Sequence, residues 1–495
     1  MKKLVYLIQL TVFLLSISSI MSINAQNNNY FKNIDINSMM NNVSYFSSPE
    51  LEGRIAASKG YFLAAEFSAN WFKKYGIKPI QENSYYQPFK VEYNEIKEPI
   101  LLKLIDNEKT KEYKLGRDFI FRGFTGGGNV TGEVVFCGYG ISQPEIGYDD
   151  YSGIDVKDKI VLVFKYHPCW NLEGEKFVNA NPREKAFIAF KHGAKAIFFV
   201  SFPNDKTPQK PIGSVISGSG EQNENFPEVH IDLPVANDFF DGTEYTLKSL
   251  QTEIDSIKKP HSVNLNKKAN VIVNAKYTKE KETVNIIGFI PGCDDKLKDE
   301  YVILGAHLDH VGKQGDTLYF PGANDNASGS AALLEVAKAF SLAELKSKRT
   351  LVFILFSSEE SGLLGAEYYV NNPIFPLEKT VAMLNMDCIG YGDSIQLGNG
   401  KSSPILWELA KNIDKQTDNY TVAQTWEGGG ADATPFHQKG IPTLYFVTTN
   451  SYDHLHYMTD KPETLNKELY HKLTKLVYLT LKELGAGNYL REPVK

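Results

Sequence analysis

The sequence is poor in cysteine, in net charge and in long apolar runs, and each shortage narrows what the protein can be. Four cysteines are scattered over 495 residues without a CxxC pair, so disulfides are permitted but not required, and a nucleophilic cysteine is not favoured. Cys137 and Cys388 lie in apolar runs that predict buried free thiols. The formal net charge of -6, from 53 basic and 59 acidic residues, gives no reason to propose nucleic acid or an anionic membrane as a partner.

Only the N-terminus carries an apolar run that approaches the length needed to span a bilayer. Lys2 and Lys3 precede the run 4–20, which closes on Ala25 before the polar residues 26–29. This order is typical of a cleaved signal peptide, and an uncleaved membrane anchor is the alternative. No cysteine lies near the cleavage point, which argues against a lipoprotein anchor. We therefore expect a periplasmic or secreted protein with no stable membrane anchor after cleavage.

At 495 residues the chain exceeds what one hydrophobic core normally supports, so two or more folded units are expected. Residues 44–76 show helix-like spacing of apolar side chains. From about residue 96 the pattern changes to short β-rich pieces, with buried strands predicted at 134–136, 160–164 and 196–200 and a helix at 184–193. The Lys-rich stretch 248–268 is typical of a linker to the main domain.

From residue 270 onward predicted strands and helices alternate, as in a mixed, mostly parallel sheet flanked by helices. The strand candidates are 284–290, 301–306, 350–356, 381–385 and 443–447. The helix candidates are 327–342, 363–371, 404–416, 434–439 and 466–484. The sequence therefore predicts the α/β class, and ligands of such sheets gather at the carboxyl ends of the strands.

Histidines and carboxylates follow several of these strands directly. His307 and Asp309 come after the strand 301–306, and a histidine beside a carboxylate suits a metal ligand whose ring is oriented by that carboxylate. Asp325 lies in a small-residue turn before the helix at 327, where it can hold metal or simply serve the helix dipole. Each residue taken alone has an ordinary structural interpretation, as loop polarity or helix capping.

The adjacent pair Glu359 and Glu360 after the strand 350–356 is the most specific signal. Two neighbouring carboxylates at the end of a buried strand repel each other and are costly to desolvate. Cations can neutralise such a pair, one carboxylate ligating metal while the other accepts a proton from water. A solvated loop is the alternative interpretation.

Asp387 follows the strand 381–385, and His456 lies in a loop before the last helix. With them, five separate segments supply two imidazoles and four carboxylates, which is the composition of a binuclear site for a metal such as zinc. Because all five segments carry such residues, their chance placement in five loops is an unsatisfactory explanation.

These segments resemble the successive motifs of the di-zinc aminopeptidase family, which includes glutamate carboxypeptidases, glutaminyl cyclases and, as inactive relatives, transferrin receptors. The stretches that resemble these motifs are 306–310, 322–329, 358–365, 385–387 and 456–460, and the likeness extends over 284–484. The stretch 47–54 resembles the N-terminal piece of the same catalytic domain. The runs 138–141, 148–151 and 156–163 resemble a protease-associated domain.

The resemblance implies a zinc exopeptidase fold that holds two Zn2+ ions, with a water shared between the ions as the group that attacks the peptide bond. It implies metal-ligand roles for His307, Asp325, Glu360, Asp387 and His456, with Asp325 bridging both ions. His307 and Asp387 are expected to complete one zinc site, and Glu360 and His456 the other.

Two further catalytic roles are implied by the resemblance. Glu359 is expected to be the general base, and Asp309 is expected to orient His307. Asp460 is a candidate to orient His456. Asp432 matches a loop at the edge of the family's site, although capping of the helix at 434 explains it equally well. Where several family members carry a tyrosine before the last histidine, this chain has Leu455, so the non-metal oxyanion donor stays open.

The implied organisation is a signal peptide at 1–25, an N-terminal part of the peptidase domain at 26–95, a β-rich protease-associated insert at 96–269 and the main catalytic part at 270–495. The implied partner is a peptide substrate, and an aminopeptidase is expected. A carboxypeptidase or dipeptidase would share the site and differ in the pocket that binds the charged end of the substrate. An acidic rim would favour a free amine, and a basic rim would favour a carboxylate. A glutaminyl cyclase and a non-catalytic interaction protein are the remaining alternatives, and the sequence leaves the oligomeric state open.

Overall fold

The computed structural model describes residues 34–172, 177–178, 181–218 and 220–495. The signal-peptide prediction for residues 1–25 lies outside the described residues. No helix in the described part of the chain combines the length and the hydropathy that a membrane crossing requires.

The described helices are α1 (Ile36–Phe46), α2 (Lys59–Lys74), α3 (Pro182–Lys191), α4 (Leu233–Phe240), α5 (Leu247–Ile257), α6 (Gly329–Ser341), α7 (Leu364–Asn371), α8 (Pro404–Lys415), α9 (Ala433–Gln438) and α10 (Lys467–Gly485). Several begin at side chains that accept a hydrogen bond from the first turn, as Ser58 does from the Tyr61 N–H and Asn466 from the Leu469 N–H. Such caps satisfy amide groups that have no partner within the helix.

The described strands are β1 (Lys78–Pro79), β2 (Tyr86–Asp106), β3 (Lys109–Glu112), β4 (Phe119–Phe121), β5 (Gly128–Phe136), β6 (Ser142–Gln143), β7 (Tyr148–Asp149), β8 (Ile160–Phe164), β9 (Ala196–Val200), β10 (Glu228–Ile231), β11 (Val263–Ile290), β12 (Tyr301–His307), β13 (Lys313–Gln314), β14 (Leu318–Tyr319), β15 (Thr350–Phe356), β16 (Thr380–Met386), β17 (Ile395–Gly398) and β18 (Thr443–Thr448). All five strands predicted beyond residue 270 are present, the first as the end of β11.

One 14-stranded sheet has the main order β17-β18-β16-β12-β15-β11-β5-β8-β9-β10-β4. Outside this path, β1 and β2 pair with β11, and β3 pairs with β2. The neighbours β18, β16, β12 and β15 are mutually parallel, as are β5, β8, β9 and β10. Antiparallel β11 joins the two parallel groups, pairing with β15 on one side and β5 on the other. The predicted mixed, mostly parallel sheet flanked by helices is confirmed.

Two large buried cores lie along this sheet, together with smaller ones. The first packs α1, α2, α6 and α10 against β12, β15 and β16. The second packs α4 and α5 against β5, β8, β9 and β10. The predicted boundaries at 95/96 and 269/270 fall inside the long strands β2 and β11, so the division into domains stays a prediction.

Two local predictions were wrong. The helical stretch 44–76 is two helices, because a turn with left-handed Glu52 and Gly53 separates α1 from α2. The supposed linker 248–268 contains α5 and the start of β11, since Leu247, Leu250 and Ile254 recur at helical spacing and are buried between the lysines. The thiols of Cys137 and Cys388 are free and buried, as predicted.

The close approach of α7 to β15 gives a test of how tightly the fold is packed. A Cβ on Gly365 would lie 2.2 Å from the Ser357 carbonyl oxygen. We expect Gly365→Ala to lower the free energy of unfolding by about 3 kcal/mol, because backbone would have to move. Gly76→Ala is the matched control, since Gly76 has φ +68° and open space around it, and should cost about 1 kcal/mol. Urea denaturation followed by circular dichroism measures both, and equal losses would contradict the packing argument.

Candidate active site

The carboxyl ends of the parallel strands bring the predicted residues to one edge of the sheet. His307 is the last residue of β12 and pairs with Phe356 of β15, while Gly305 pairs with Asn385 of β16. His307 therefore lies level with Asp387, two residues beyond Asn385. The imidazole Nε2 of His307 is 3.3 Å from Oδ1 of Asp387. Strand register alone places these two side chains together.

Asp325 reaches the same edge from the turn between β14 and α6. The carboxylate of Asp460 accepts hydrogen bonds from the backbone N–H of Asn324 (2.8 Å) and of Asp325 (3.0 Å), which fixes the turn. Oδ1 of Asp325 is 3.3 Å from Nε2 of His307. Its Oδ2 is 3.1 Å from Nε2 of His456. One carboxylate thus faces an imidazole on each side.

The potential ligand atoms form two main groups, and a third group of Asp325, Asp387 and Cys388 overlaps both. Oε2 of Glu360 is 2.9 Å from Nε2 of His456, whereas Oε2 of Glu359 lies 4.0 Å from Nε2 of His307. Each group offers atoms that all lie within 4.8 Å of one another. The two sets are His310, Asp325, Glu360 and His456 on one side, and His307, Glu359 and Asp387 on the other. Imidazole and carboxylate donors in such groups fit zinc.

The histidines and carboxylates of the site influence one another's pKa values. Burial disfavours the charged form of His307, but the carboxylates of Glu359 and Asp387 outweigh burial and raise its pKa well above the ordinary value. The pKa of His456 is raised in the same way by Glu360 and Asp325 against the effect of burial. Carboxylates that surround imidazoles this closely are a suitable environment for a cation.

Glu359 differs from its neighbour Glu360. Burial is the largest cause that raises the pKa of Glu359 well above the ordinary value, with Asp387 and Asp432 adding repulsion. The pKa of Glu360 is lowered despite its burial, because His456 and His310 donate to it. The adjacent carboxylates therefore have opposite tendencies, one to hold a proton and one to stay ionised, which suits a proton carrier beside a ligand.

The carboxylate of Asp309 does not contact His307 as expected. It lies 3.9 Å from Nδ1 of His307, which instead is 3.2 Å from the Asp309 carbonyl oxygen. The two carboxylate oxygens accept from the backbone N–H of Glu359 (3.2 Å) and of Glu360 (3.4 Å). Asp309 therefore orients His307 through its main chain and the glutamate loop through its side chain.

The other two acidic expectations also change. Asp460 holds the turn of Asp325 rather than the ring of His456. Asp432 lies at the start of α9 without capping it. Among the described residues, neither carboxylate oxygen of Asp432 has a hydrogen-bond partner, and burial raises its pKa well above the usual range. Asp432 is thus a further buried acid beside Glu359.

Arg54 lies behind the site and is fully buried. Its guanidinium donates to the carbonyl oxygens of Leu308 (3.0 Å), Pro321 (2.7 Å) and Gly322 (3.0 Å). These carbonyls belong to the loops that carry His307 and Asp325. Burial lowers the pKa of Arg54 to about 10, and Asp325 and Asp460 oppose that effect. A fixed positive charge therefore joins two ligand-bearing loops.

Sequence reasoning gave no role to two residues that the structure brings to the site. Nδ1 of His310 is 2.8 Å from Oε1 of Glu360, and Tyr445 donates its hydroxyl hydrogen to Oδ2 of Asp387 at 3.1 Å. The position of His310, one residue after Asp309, was a usable signal. Tyr445 lies within the apolar strand β18, where nothing in the local pattern marks it.

A family model agrees with this geometry. Residues 285–481 match the model of peptidase family M28, and this segment holds every residue of the two donor groups. Aminopeptidase YwaD of Bacillus subtilis is 26% identical over 309 residues, covering 61% of this chain and 56% of that protein. A glutamate carboxypeptidase 2 homolog of Caenorhabditis briggsae is 30% identical over 220 residues, covering 38% of this chain and 27% of that protein. The chain thus spans about half or less of the length of these relatives.

A solved structure shows the same fold over nearly the whole chain. The aminopeptidase from Aneurinibacillus sp. strain AM-1 superposes with a TM-score of 0.65 at 23% identity, covering 95% of this chain and 98% of that one. The strand order, the position of the donor groups and the family match all concern the same stretch of sequence. Residues 285–481 of the chain are thus similar to peptidase family M28.

Proposed function

We propose that this protein is an exported, zinc-dependent aminopeptidase that releases N-terminal residues from peptides. The observation that carries the proposal is the carboxylate of Asp325, which has one oxygen beside His307 and the other beside His456. A carboxylate shared by two donor groups suits a pair of ions in one site. Export is supported by the signal-like N-terminus, and the region 96–269 is proposed to be the protease-associated insert.

Two Zn2+ ions are proposed to occupy the two donor groups. Asp325 would be common to both, with His307 and Asp387 on one side and Glu360 and His456 on the other. Zinc bound there would supply a Lewis acid for the scissile carbonyl and lower the pKa of water. The donor set of imidazoles and carboxylates, all of them buried or nearly so, fits this metal.

Glu359 is proposed to move the proton. Its carboxylate lies beside His307 without belonging to the tight contacts of Asp325, and its surroundings favour the protonated form. It would accept a proton from the attacking water and donate it to the amine that leaves. Asp309 would act as a positioning residue, because it holds the backbone of Glu359 in place. No acyl-enzyme is needed in this scheme.

The excess of acid at the site favours an aminopeptidase. Beyond the ligand carboxylates, Glu359 and Asp432 are buried beside Asp387. In their ionised form these two carboxylates would attract a protonated α-amine and repel a terminal carboxylate. A carboxypeptidase or dipeptidase on the same site is the second candidate, and the 30% identity to a glutamate carboxypeptidase 2 homolog supports testing it.

Metal content and substrate direction can be measured on the purified protein. We expect about two zinc ions per chain by elemental analysis and hydrolysis of leucine p-nitroanilide that a chelator abolishes and zinc restores. A C-blocked dipeptide amide should be cleaved, and its N-acetylated counterpart should not. Cleavage of N-blocked dipeptides alone would establish the carboxypeptidase instead, and chelator-resistant hydrolysis would contradict the metal site.

Glu359→Gln separates proton transfer from metal binding. We expect kcat to fall by a factor of about 10² to 10⁴, since a general base of this kind contributes that much, while zinc content stays the same. Glu367→Gln on the exposed face of α7 is the matched control and should retain full activity. Retained activity in Glu359→Gln would rule out the proposed base, and lost zinc would assign it as a ligand.

Tyr445→Phe tests the hydrogen bond to Asp387. Removing a partner that orients a ligand typically weakens metal binding by 10-fold or more, so we expect about tenfold lower zinc affinity in competition with a chromophoric chelator. Tyr391→Phe is the control, because that hydroxyl donates to Asp453 at 3.1 Å and not to a proposed ligand. Equal zinc affinity in both variants would show that Asp387 is not oriented through Tyr445.

A further inference from the structure

A second polar cluster lies in the region 96–269, away from the proposed metal ligands. Lys165 and Ser201 directly follow the parallel strands β8 and β9, and His230 and Arg122 come from β10 and the end of β4. All four side chains are buried, Lys165 to 4% and Arg122 to 7% exposure. Nε2 of His230 is 3.4 Å from Oγ of Ser201. Carboxyl ends of parallel strands are the usual place for ligands in such sheets.

The positive groups of this cluster are not neutralised in the usual way. Among the described residues, Nε and Nη1 of Arg122 and Nδ1 of His230 have no hydrogen-bond partner, and no ion pair joins Arg122 or Lys165 to a carboxylate. The carboxyl group of Glu228 influences Arg122 through its charge, and among the described residues its Oε2 is also without a hydrogen-bond partner. Buried cations are normally paired, so these groups call for an explanation.

Electrostatics indicates the sign of a missing partner. Burial lowers the pKa of Lys165 well below its ordinary value, and the charge of Arg122 lowers it further. Burial likewise lowers the pKa of His230, with Lys165 and Arg122 adding to the effect. Burial raises the pKa of Glu228 well above its range, against the influence of Arg183 and Arg122. An anion placed between Arg122 and Lys165 would relieve their mutual repulsion.

The side chain of Gln209 already places an oxygen beside Lys165. Its Oε1 accepts hydrogen bonds from Nζ of Lys165 and from the hydroxyl of Tyr166. Oγ of Ser201 donates to the Gln209 carbonyl oxygen at 2.6 Å, which holds the backbone of this segment independently of the amide. The amide oxygen is therefore an internal stand-in for an oxygen of a carboxylate, and it can be displaced without loss of the loop.

A cavity of about 700 Å³ lies beside Gln209, and residues of the loop that carries His456 also line it. Gln209 and Lys210 line one wall, and Tyr452 and Tyr457 line the other. Tyr452 lies beside Tyr445 at the metal-binding edge. The segment after Lys210 is joined to the loop of His456, because the Gly213 N–H donates to the His456 carbonyl oxygen at 2.9 Å. The volume is within the range of small-ligand sites.

We propose that Arg122, Lys165 and His230 bind a carboxylate of the peptide substrate, which enters from this cavity and displaces the Gln209 side chain. The proposal rests on the proposed function for the identity of the ligand as a peptide. The carboxylate can be the C-terminus of a short peptide or an acidic side chain, and the chemistry of recognition is the same. Charge-assisted hydrogen bonds from Arg122 and Lys165 would carry the interaction.

Paired substrates that differ only in charge test the proposal. We expect kcat/KM for Leu-Gly-Gly to exceed that for its C-terminal amide by about tenfold or more, mainly through KM. Leu-Gly-Glu-amide compared with Leu-Gly-Gly-amide measures the side-chain source of the carboxylate. A preference in either pair supports the site and names its source. Equal constants within both pairs would overturn it.

Lys165→Met and Arg117→Gln locate the preference. Methionine keeps the unbranched shape without the unpaired charge, so we expect the variant to fold with equal or higher thermal stability and to lose the preference for carboxylate. Arg117 lines the same cavity but is exposed and pairs with Asp118 at 2.7 Å, so its variant should keep the preference. A preference that survives Lys165→Met, or that vanishes in Arg117→Gln, would contradict the cluster.

Direct binding separates this proposal from the proposed function. Titration of the Glu359→Gln protein with Leu-Gly-Gly and with its amide, followed by calorimetry, should show about tenfold tighter binding of the free acid. This measurement needs no turnover. Hydrolysis of leucine p-nitroanilide with equal binding of acid and amide would support the peptidase and contradict the carboxylate site. Tighter binding of the acid by a protein that hydrolyses no substrate would support the carboxylate site and contradict the peptidase.

Discussion

Negative charge buried at the ends of parallel strands is the constraint on which the rest of the site depends. Asp325, Glu359, Glu360 and Asp387 lie within a few ångströms of the same two imidazoles. Like charges this close raise one another's pKa and destabilise the fold unless positive charge is present. Protonated imidazoles would supply part of that positive charge. Metal cations would supply the rest, which is the physical reason to expect them in this pocket.

The surrounding structure keeps these carboxylates from relaxing apart. Asp309 and Asp460 direct their oxygens to backbone N–H groups, and thereby fix the glutamate loop and the Asp325 turn. Arg54 donates hydrogen bonds to carbonyl oxygens of the neighbouring loops. Glycine allows the backbones to approach: a Cβ on Gly329 would lie 2.6 Å from the Met386 carbonyl oxygen. A site held by its main chain keeps its geometry whether or not a ligand is bound.

The sequence was sufficient for the parts of this arrangement that depend on strand ends. Apolar runs predicted β12, β15, β16 and β18 to within one or two residues, and parallel pairing then brings residues that follow those strands together. This is why His307, Glu360 and Asp387 could be named in advance. The partner of a side chain that crosses between loops follows no such rule. Asp309 and Asp460 were expected at imidazoles and instead bind backbone amides, because the loop paths are set by tertiary packing.

Residues outside the polar pattern were the ones that could not be found. Tyr445 belongs to an apolar strand, and its hydroxyl matters because β18 lies beside β16, which ends at Asp387. Arg122, Lys165 and His230 are separated by some 40 to 110 positions in the sequence, and only the sheet brings them together. No local pattern announces a buried cation without a partner, since lysine and arginine in an alternating strand are ordinarily exposed.

Two oppositely charged regions would give a bound peptide a direction. A peptide in water carries a positive amine at one end and a negative carboxylate at the other. Under the two proposals together, the acidic edge around Glu359 and Asp432 would receive the amine, and the cluster of Arg122 and Lys165 would receive the carboxylate. Reversal would place each terminus against a like charge, at a cost that grows as water is excluded. The separation of these charges would therefore select the N-terminal peptide bond. A carboxypeptidase would need an extended region of positive charge beside the metal ligands, and the described residues around Glu359 do not provide one.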